Sequence, residues 1–177
     1  MQGHLDESVV ELQMAAKFAP HHGMTASQLG VTLLFKGQPE SALPHLERGI
    51  RVGLRDPQAP NILGNLGSYN LLLGDVETAI ARLREATAGN QYAAPLPLAA
   101  ALGLKSKSAE ARAVLRQLIE SSPDSGTLSD IRSNLKRQAG PDFMSMYEHV
   151  VEPGLRRAGL SEDIPFSHST NARLRRA

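Results

Sequence analysis

The stretch Asn61–Gly89, NILGNLGSYNLLLGDVETAIARLREATAG, holds a whole helical hairpin in one line. Leu66-Gly67 lies in a first helix and Gly74-Asp75 breaks it. Val76, Ala79, Ile80, Leu83 and Ala86 then recur at the i, i+3, i+4, i+7 spacing of a second amphipathic helix. The same grammar recurs before and after this unit, so the chain reads as an all-α array of helical repeats.

Toward the amino end, Thr25–Phe35 forms a first helix centred on Leu29-Gly30, and Lys36-Gly37-Gln38 makes the turn. The second helix opens at Pro39, a good first helical position, and carries Ala42, Leu46 and Ile50. Pro44 conflicts with it, because an interior proline removes a hydrogen bond and is expected to kink or loosen the helix. Before this pair, Leu5, Val9, Leu12 and Ala16 share one stripe of a helix closed by Pro20. That helix has no first helix ahead of it. Its apolar face would lie in water, so the expectation is that Met1 is not the natural start, that the chain is cut from a longer protein, which is favoured, or that a partner covers the face, self-association included.

Toward the carboxyl end, a weak first helix within Tyr92–Leu104 keeps its apolar content but lacks the Leu-Gly pair at the expected place. It precedes a second helix from Ala109 to Ser122, ended by Pro123. The small residues that start the second helices, Ser8, Ala42, Ala79 and Ala111, lie 34, 37 and 32 residues apart. The longer interval is absorbed by the Pro-rich connection Leu54–Pro60, where insertion costs little.

A period near 34, small residues at Gly30, Gly67, Ala42, Ala79 and Ala111, and closing prolines at Pro20 and Pro123 resemble tetratricopeptide repeats. The chain departs from that pattern in having no Trp, in placing Leu33, Asn70 and Leu102 where a Tyr is usual, and in lacking a closing proline after the second full hairpin. The resemblance implies a right-handed helical-hairpin solenoid. A half repeat would span 1–22, with full repeats over about 23–59, 60–91 and 92–123. A narrower resemblance lies in Arg55-Asp56-Pro57, Leu71–Asp75, Ala109–Ala113 and Gly154–Leu160. These look like the tetratricopeptide tail of bacterial multidomain proteins such as class III adenylate or guanylate cyclase-like proteins and winged-helix regulators. It implies that a catalytic or DNA-binding part lies outside this chain.

After Pro123 the repeat stops. Thr127–Asp130 reads as a capping box opening a helix with Leu128, Ile131 and Leu135 on one face. Gly140-Pro141 breaks it, and Phe143, Met146, Tyr147, Val150 and Val151 form another stripe, kinked or ended at Pro153-Gly154. Residues 124–160 are thus expected to cap the end of the stack, and 161–177 to form a disordered tail.

The first helices contain no Asp, Glu, Lys or Arg. By resemblance they line the concave groove, which would be neutral, with Ser27, Val31, Asn61, Asn65, Ser68 and Leu72 as its contact residues and Asn70 beside them. Such a trough suits an amphipathic helix or extended peptide with a neutral or apolar face, whereas clamping a carboxylate or reading phosphate requires Lys or Arg there. The competing reading buries these helices against the rest of a longer chain or against the carboxyl-terminal helices.

Other chemistry is sparse. His21-His22 has no companion cluster at ligand spacing and reads as a solvated loop pair, and His45 as a surface or groove-edge residue. Asp75, Glu77 and Glu85 beside Arg82 and Arg84 read as a solvated face. No glycine-rich phosphate loop or nucleophile elbow is present, and Ser68 lacks flanking glycines on both sides. The basic clusters Arg156-Arg157 and Arg173, Arg175, Arg176 are interspersed with Glu148, Glu152, Glu162 and Asp163. With 19 basic and 18 acidic residues there is no field to steer the chain to nucleic acid or an anionic membrane. Cysteine is absent, and no apolar run is long enough for a membrane helix or matches a secretory signal. The expectation is a cytoplasmic, non-catalytic protein-interaction scaffold without metal or cofactor, the tail of a larger bacterial signalling protein. The alternative is a fragment of a cyclase-like enzyme.

Overall fold

In the computed structural model, which describes residues 2–122 and 126–164, every regular element is helical. The order is α1 (Gln2–Phe18), α2 (Gly23–Phe35), α3 (Pro39–Gly53), α4 (Ala59–Leu72), α5 (Val76–Gly89), α6 (Pro95–Leu104), α7 (Ser108–Ser121), α8 (Leu128–Lys136), α9 (Pro141–Met146), a π-helical turn Tyr147–Val151, and α10 (Glu152–Ala158). Helices α2 and α3, α4 and α5, and α6 and α7 pack as three successive hairpins. Pro123, expected to close α7, and residues 165–177, including the Arg173–Arg176 cluster, lie outside the described residues.

One turn design joins all three hairpins. Gly37, Gly74 and Ser106 each take positive φ, at 77°, 83° and 58°. The following residue then donates its N–H back into the first helix: Gln38 to Leu33, Asp75 to Asn70 and Lys107 to Leu102, at 2.9–3.0 Å. This is the double closure that satisfies helix-end carbonyls when the residue past the helix is left-handed. The interlock repeats as well. A Cβ on Gly30 would come within 2.6 Å of Leu46 Cγ, and one on Gly67 within 2.7 Å of Leu83 Cγ. Each leucine therefore fills the notch that a missing side chain leaves on the facing helix. In the third hairpin Ala99 stands at the same spacing from Leu115, and both are fully buried. Leu98-Ala99 thus stands where the other two hairpins have Leu-Gly.

Helix α6 is apolar on every side because it is covered on every side: Leu98 through Gly103 are all buried. Its outer face meets α10 backbone to backbone. A Cβ on Gly154 would lie 2.2 Å from the Ala100 carbonyl oxygen, and one on Gly103 would lie 2.0 Å from the Gly154 carbonyl oxygen. The carboxyl-terminal helices therefore do more than cap an end. Besides α6 and α7, the π-turn reaches α4, Phe143 meets Phe35 of α2 edge-on at 4.8 Å between ring centroids, and the Gly140 N–H donates to the Phe35 carbonyl at 2.7 Å.

Several expectations need correcting. Pro44, expected to kink or loosen its helix, lies inside an α3 that runs on to Gly53. Pro44 and Glu40, the residue whose carbonyl loses its helical donor, are both exposed. Pro153 does not end the last helix either. It follows a turn of wider π winding, which makes room for its ring, and the helix ends at Gly159 with φ 108°. The α1 stripe is not left in water: Leu5 is buried and Val9 and Leu12 pack against the core on α2. What α1 exposes is Val10, Met14 and Phe18. Finally, the tail does not begin at 161. The Leu128 and Ser129 N–H groups at the start of α8 donate to the Ser161 and Glu162 carbonyls at 3.0 and 3.1 Å.

Candidate functional site

The inner face of the first helices is divided into two parts. Toward its amino-terminal edge α2, α4 and the loop before α6 leave an open trough of about 670 Å³. His22, Gln28, Gln58, Asn61, Asn65, Ser68 and Tyr92 supply its polar groups, and no Asp, Glu, Lys or Arg lines it. Deeper in, the carboxyl-terminal helices roof a cavity of about 190 Å³ between α2, α4 and α6. Its walls are aliphatic and aromatic, and it also holds no Asp, Glu, Lys or Arg. Asn65, Ser68 and Pro97 border both spaces, so the cavity opens toward the trough. A groove read as either open or filled by the carboxyl-terminal helices is thus both: open at one edge, roofed at the other.

The expected contact residues separate accordingly. Asn61, Asn65 and Ser68 reach the trough, spaced at i, i+4, i+7 on α4. Val31 and Leu72 line the roofed cavity instead, and Leu72 is 7% exposed. Ser27 belongs to neither. It is fully buried and accepts a hydrogen bond from Asn65 Nδ2 at 2.9 Å, tying α2 to α4. Asn70 is also committed, accepting from Arg82 Nη1 at 2.6 Å within its hairpin. Gln28, Gln58 and Tyr92 were absent from the expected set. The signal was present: moving the α4 face Asn61, Asn65, Ser68, Leu72 back by the 37-residue period gives Met24, Gln28, Val31 and Phe35, not Ser27.

Local order in the trough comes from amides and one imidazole. Asn61 Nδ2 donates to Gln58 Oε1 at 2.5 Å, and Asn90 Nδ2 reaches Asn61 Oδ1 at 3.4 Å. His22, at the rim, caps α2: its Nδ1 accepts from the Thr25 N–H at 3.3 Å and lies 2.6 Å from Thr25 Oγ1. The same residue lines the trough; among the described residues no group of His, Asp and Glu could hold a metal ion. His45 is half-buried between α1 and α3 rather than at the groove. Burial, with Arg48 nearby, pushes its pKa below the ordinary 6.5.

The roof is pinned by charge. Arg132 of α8 makes paired bonds to Glu152 of α10, both 2.9 Å, and a further 2.7 Å bond to Glu162. Arg156 joins Glu162 at 2.5 Å. Glu152 is 6% exposed, so this bidentate pairing is what makes burying its charge tolerable. Hydrogen bonds from Arg132 and Arg156 hold the Glu162 carboxyl below its ordinary pKa. Tyr147, whose ring lines the cavity, carries the one buried side-chain polar atom without a hydrogen-bond partner among the described residues. Burial, and then the nearby Glu152 charge, push its phenol pKa up.

The arrangement can hold an uncharged ligand against amide groups and an apolar wall. No family model, curated protein or solved structure matches this chain. Among the described residues no helix is long and apolar enough to cross a membrane.

Proposed function

We propose that the chain is a non-catalytic interaction module built on a tetratricopeptide-like solenoid, whose trough takes a neutral segment of another protein. The observation that carries this reading is the uncharged, amide-lined trough on the first helices. Amide side chains offer both a donor and an acceptor, which matches the paired N–H and C=O of an extended peptide backbone. A charged side chain entering would lose water and gain no counter-charge. The three equivalent hairpin turns and the recurring glycine–leucine interlock support the repeat reading. The module would act in the cytoplasm as part of a larger bacterial signalling protein, without nucleic acid or membrane as partner.

An array of acetylated, amidated peptides tests it. Uncharged sequences should be retained and their Lys- or Glu-substituted versions weakened at least about tenfold. Gln28→Arg, an exposed position that the fold tolerates, should abolish retention. Equal retention of charged and neutral peptides, or no effect of Gln28→Arg, would overturn the proposal.

A further inference from the structure

The geometry points to a second site, independent of what the trough holds: the roofed cavity binds one compact uncharged molecule of single-ring to indole size. Its volume is about 190 Å³. An apolar cavity of about 150 Å³ lined by Leu, Ile and Phe stays dry and takes up benzene. This one therefore has room for a ring and a few further atoms. Its walls come from elements far apart in the chain: Val31 of α2, Leu72 of α4, Leu96 of α6, Phe143 of α9, and Tyr147 and Val151 of the π-turn. Such walls give a ring dispersion contacts on all sides but the mouth, which an empty void forfeits.

Chemistry narrows the class further. With no charged group in the lining, an ionised ligand would leave water without compensation. The polar atoms lie at defined places. Ser68 Oγ donates to the Gly64 carbonyl at 2.8 Å and keeps acceptor capacity, and Asn65 stands beside it at the mouth. A single N–H or O–H on the ligand, turned toward the trough, meets them. A neutral heteroaromatic or phenol-like molecule fits this pattern, whereas a fatty acid or a nucleotide does not.

The chain contains no Trp, so indole emission excited beyond the tyrosine band can be followed without protein background. Titrating the intact protein into indole should give a saturable blue shift. Toluene should reverse it, and benzoate, the same ring bearing a charge, should compete at least about tenfold less well. Val31→Phe, at a partly exposed wall position, should fill the space and weaken indole at least about tenfold while the thermal melt stays cooperative. Leu96→Phe, on a different helix, should do the same, and the toluene and benzoate comparison decides the matter even if neither variant folds. No saturable shift up to the solubility of indole would overturn the inference. So would benzoate competing as well as toluene, or undiminished indole binding in a folded filled variant. Because the readout uses no peptide, failure here leaves the trough proposal standing, and failure of the peptide array leaves this site standing.

Discussion

Three residues occupy one backbone state, and they form an internal comparison. Gly37, Gly74 and Ser106 close equivalent turns at positive φ, but only the glycines do so without a side-chain penalty. Ser106→Gly should therefore stabilise the protein by about 0.5–1 kcal/mol, read from the urea midpoint. Gly74→Ala should cost about 1 kcal/mol from conformation alone, since a Cβ there meets nothing within 4 Å. Gly37→Ala should cost more, because its Cβ would lie 2.5 Å from Asp142 Cβ. An order other than Gly37→Ala below Gly74→Ala below wild type below Ser106→Gly would contradict the shared-turn description. The two glycine turns were legible in the sequence because Gly after a helical run signals its end; serine at the third does not carry that signal. The same limit explains Ser27. A small polar residue on an uncharged helix looks like a groove contact, but its side chain serves Asn65, and only the 37-residue offset separates it from Gln28.

At the scale of elements, periodicity locates the helix interiors, while a proline inside one does not mark its end. Pro44 sits in an unbroken α3 on the exposed side, so its effect is confined to a missing donor and local crowding. Pro44→Ala should raise stability by up to about 3 kcal/mol, and a lower melting temperature would show that the ring makes a contact the helix needs. The segment after α10 invites a pH argument. Glu162 is held below its ordinary carboxylate pKa of 4.5 by Arg132 and Arg156. A depressed folded pKa contributes stability that is fully present above the unfolded value and is lost as pH falls through the folded one. The clip between residue 162 and α8 should thus loosen only below pH 4.5. Urea midpoints measured down that range should fall, and Glu162→Gln should flatten part of the fall; an identical acid profile in the variant would remove Glu162 from the account. None of the contact to α8 was visible in the sequence, where residues 161–164 have no periodicity and their α8 partners lie 30 or more positions away.

For the whole molecule, the decisive contact is between elements that no repeat period connects. The all-apolar α6 reads as a degraded repeat helix when only neighbours in the hairpin array are considered, yet it is the most enclosed helix of the array. Its extra apolar face is explained by α10, and the explanation rests on small residues: Ala100 and Gly103 on one helix, Gly154 on the other. The sequence displayed those residues but not that they face each other, because periodicity reports which face of a helix is buried and not against what. If this close crossing is what seats the roof, a side chain at Gly154 must push α10 off α6. Gly154→Val should then expose the apolar face of α6, lower stability by about 2–4 kcal/mol, and produce binding of a hydrophobic dye, since buried backbone cannot yield as a flexible side chain can. It should also open the cavity beneath, so that indole binding falls in parallel. Ala99→Gly, on the α7-facing side of the same helix, should cost only about 1 kcal/mol and leave the roof and its cavity in place. A Gly154→Val protein that keeps wild-type stability and stays dye-negative would mean that the ion pairs of Arg132, and not the α6–α10 crossing, hold the carboxyl-terminal helices over the groove.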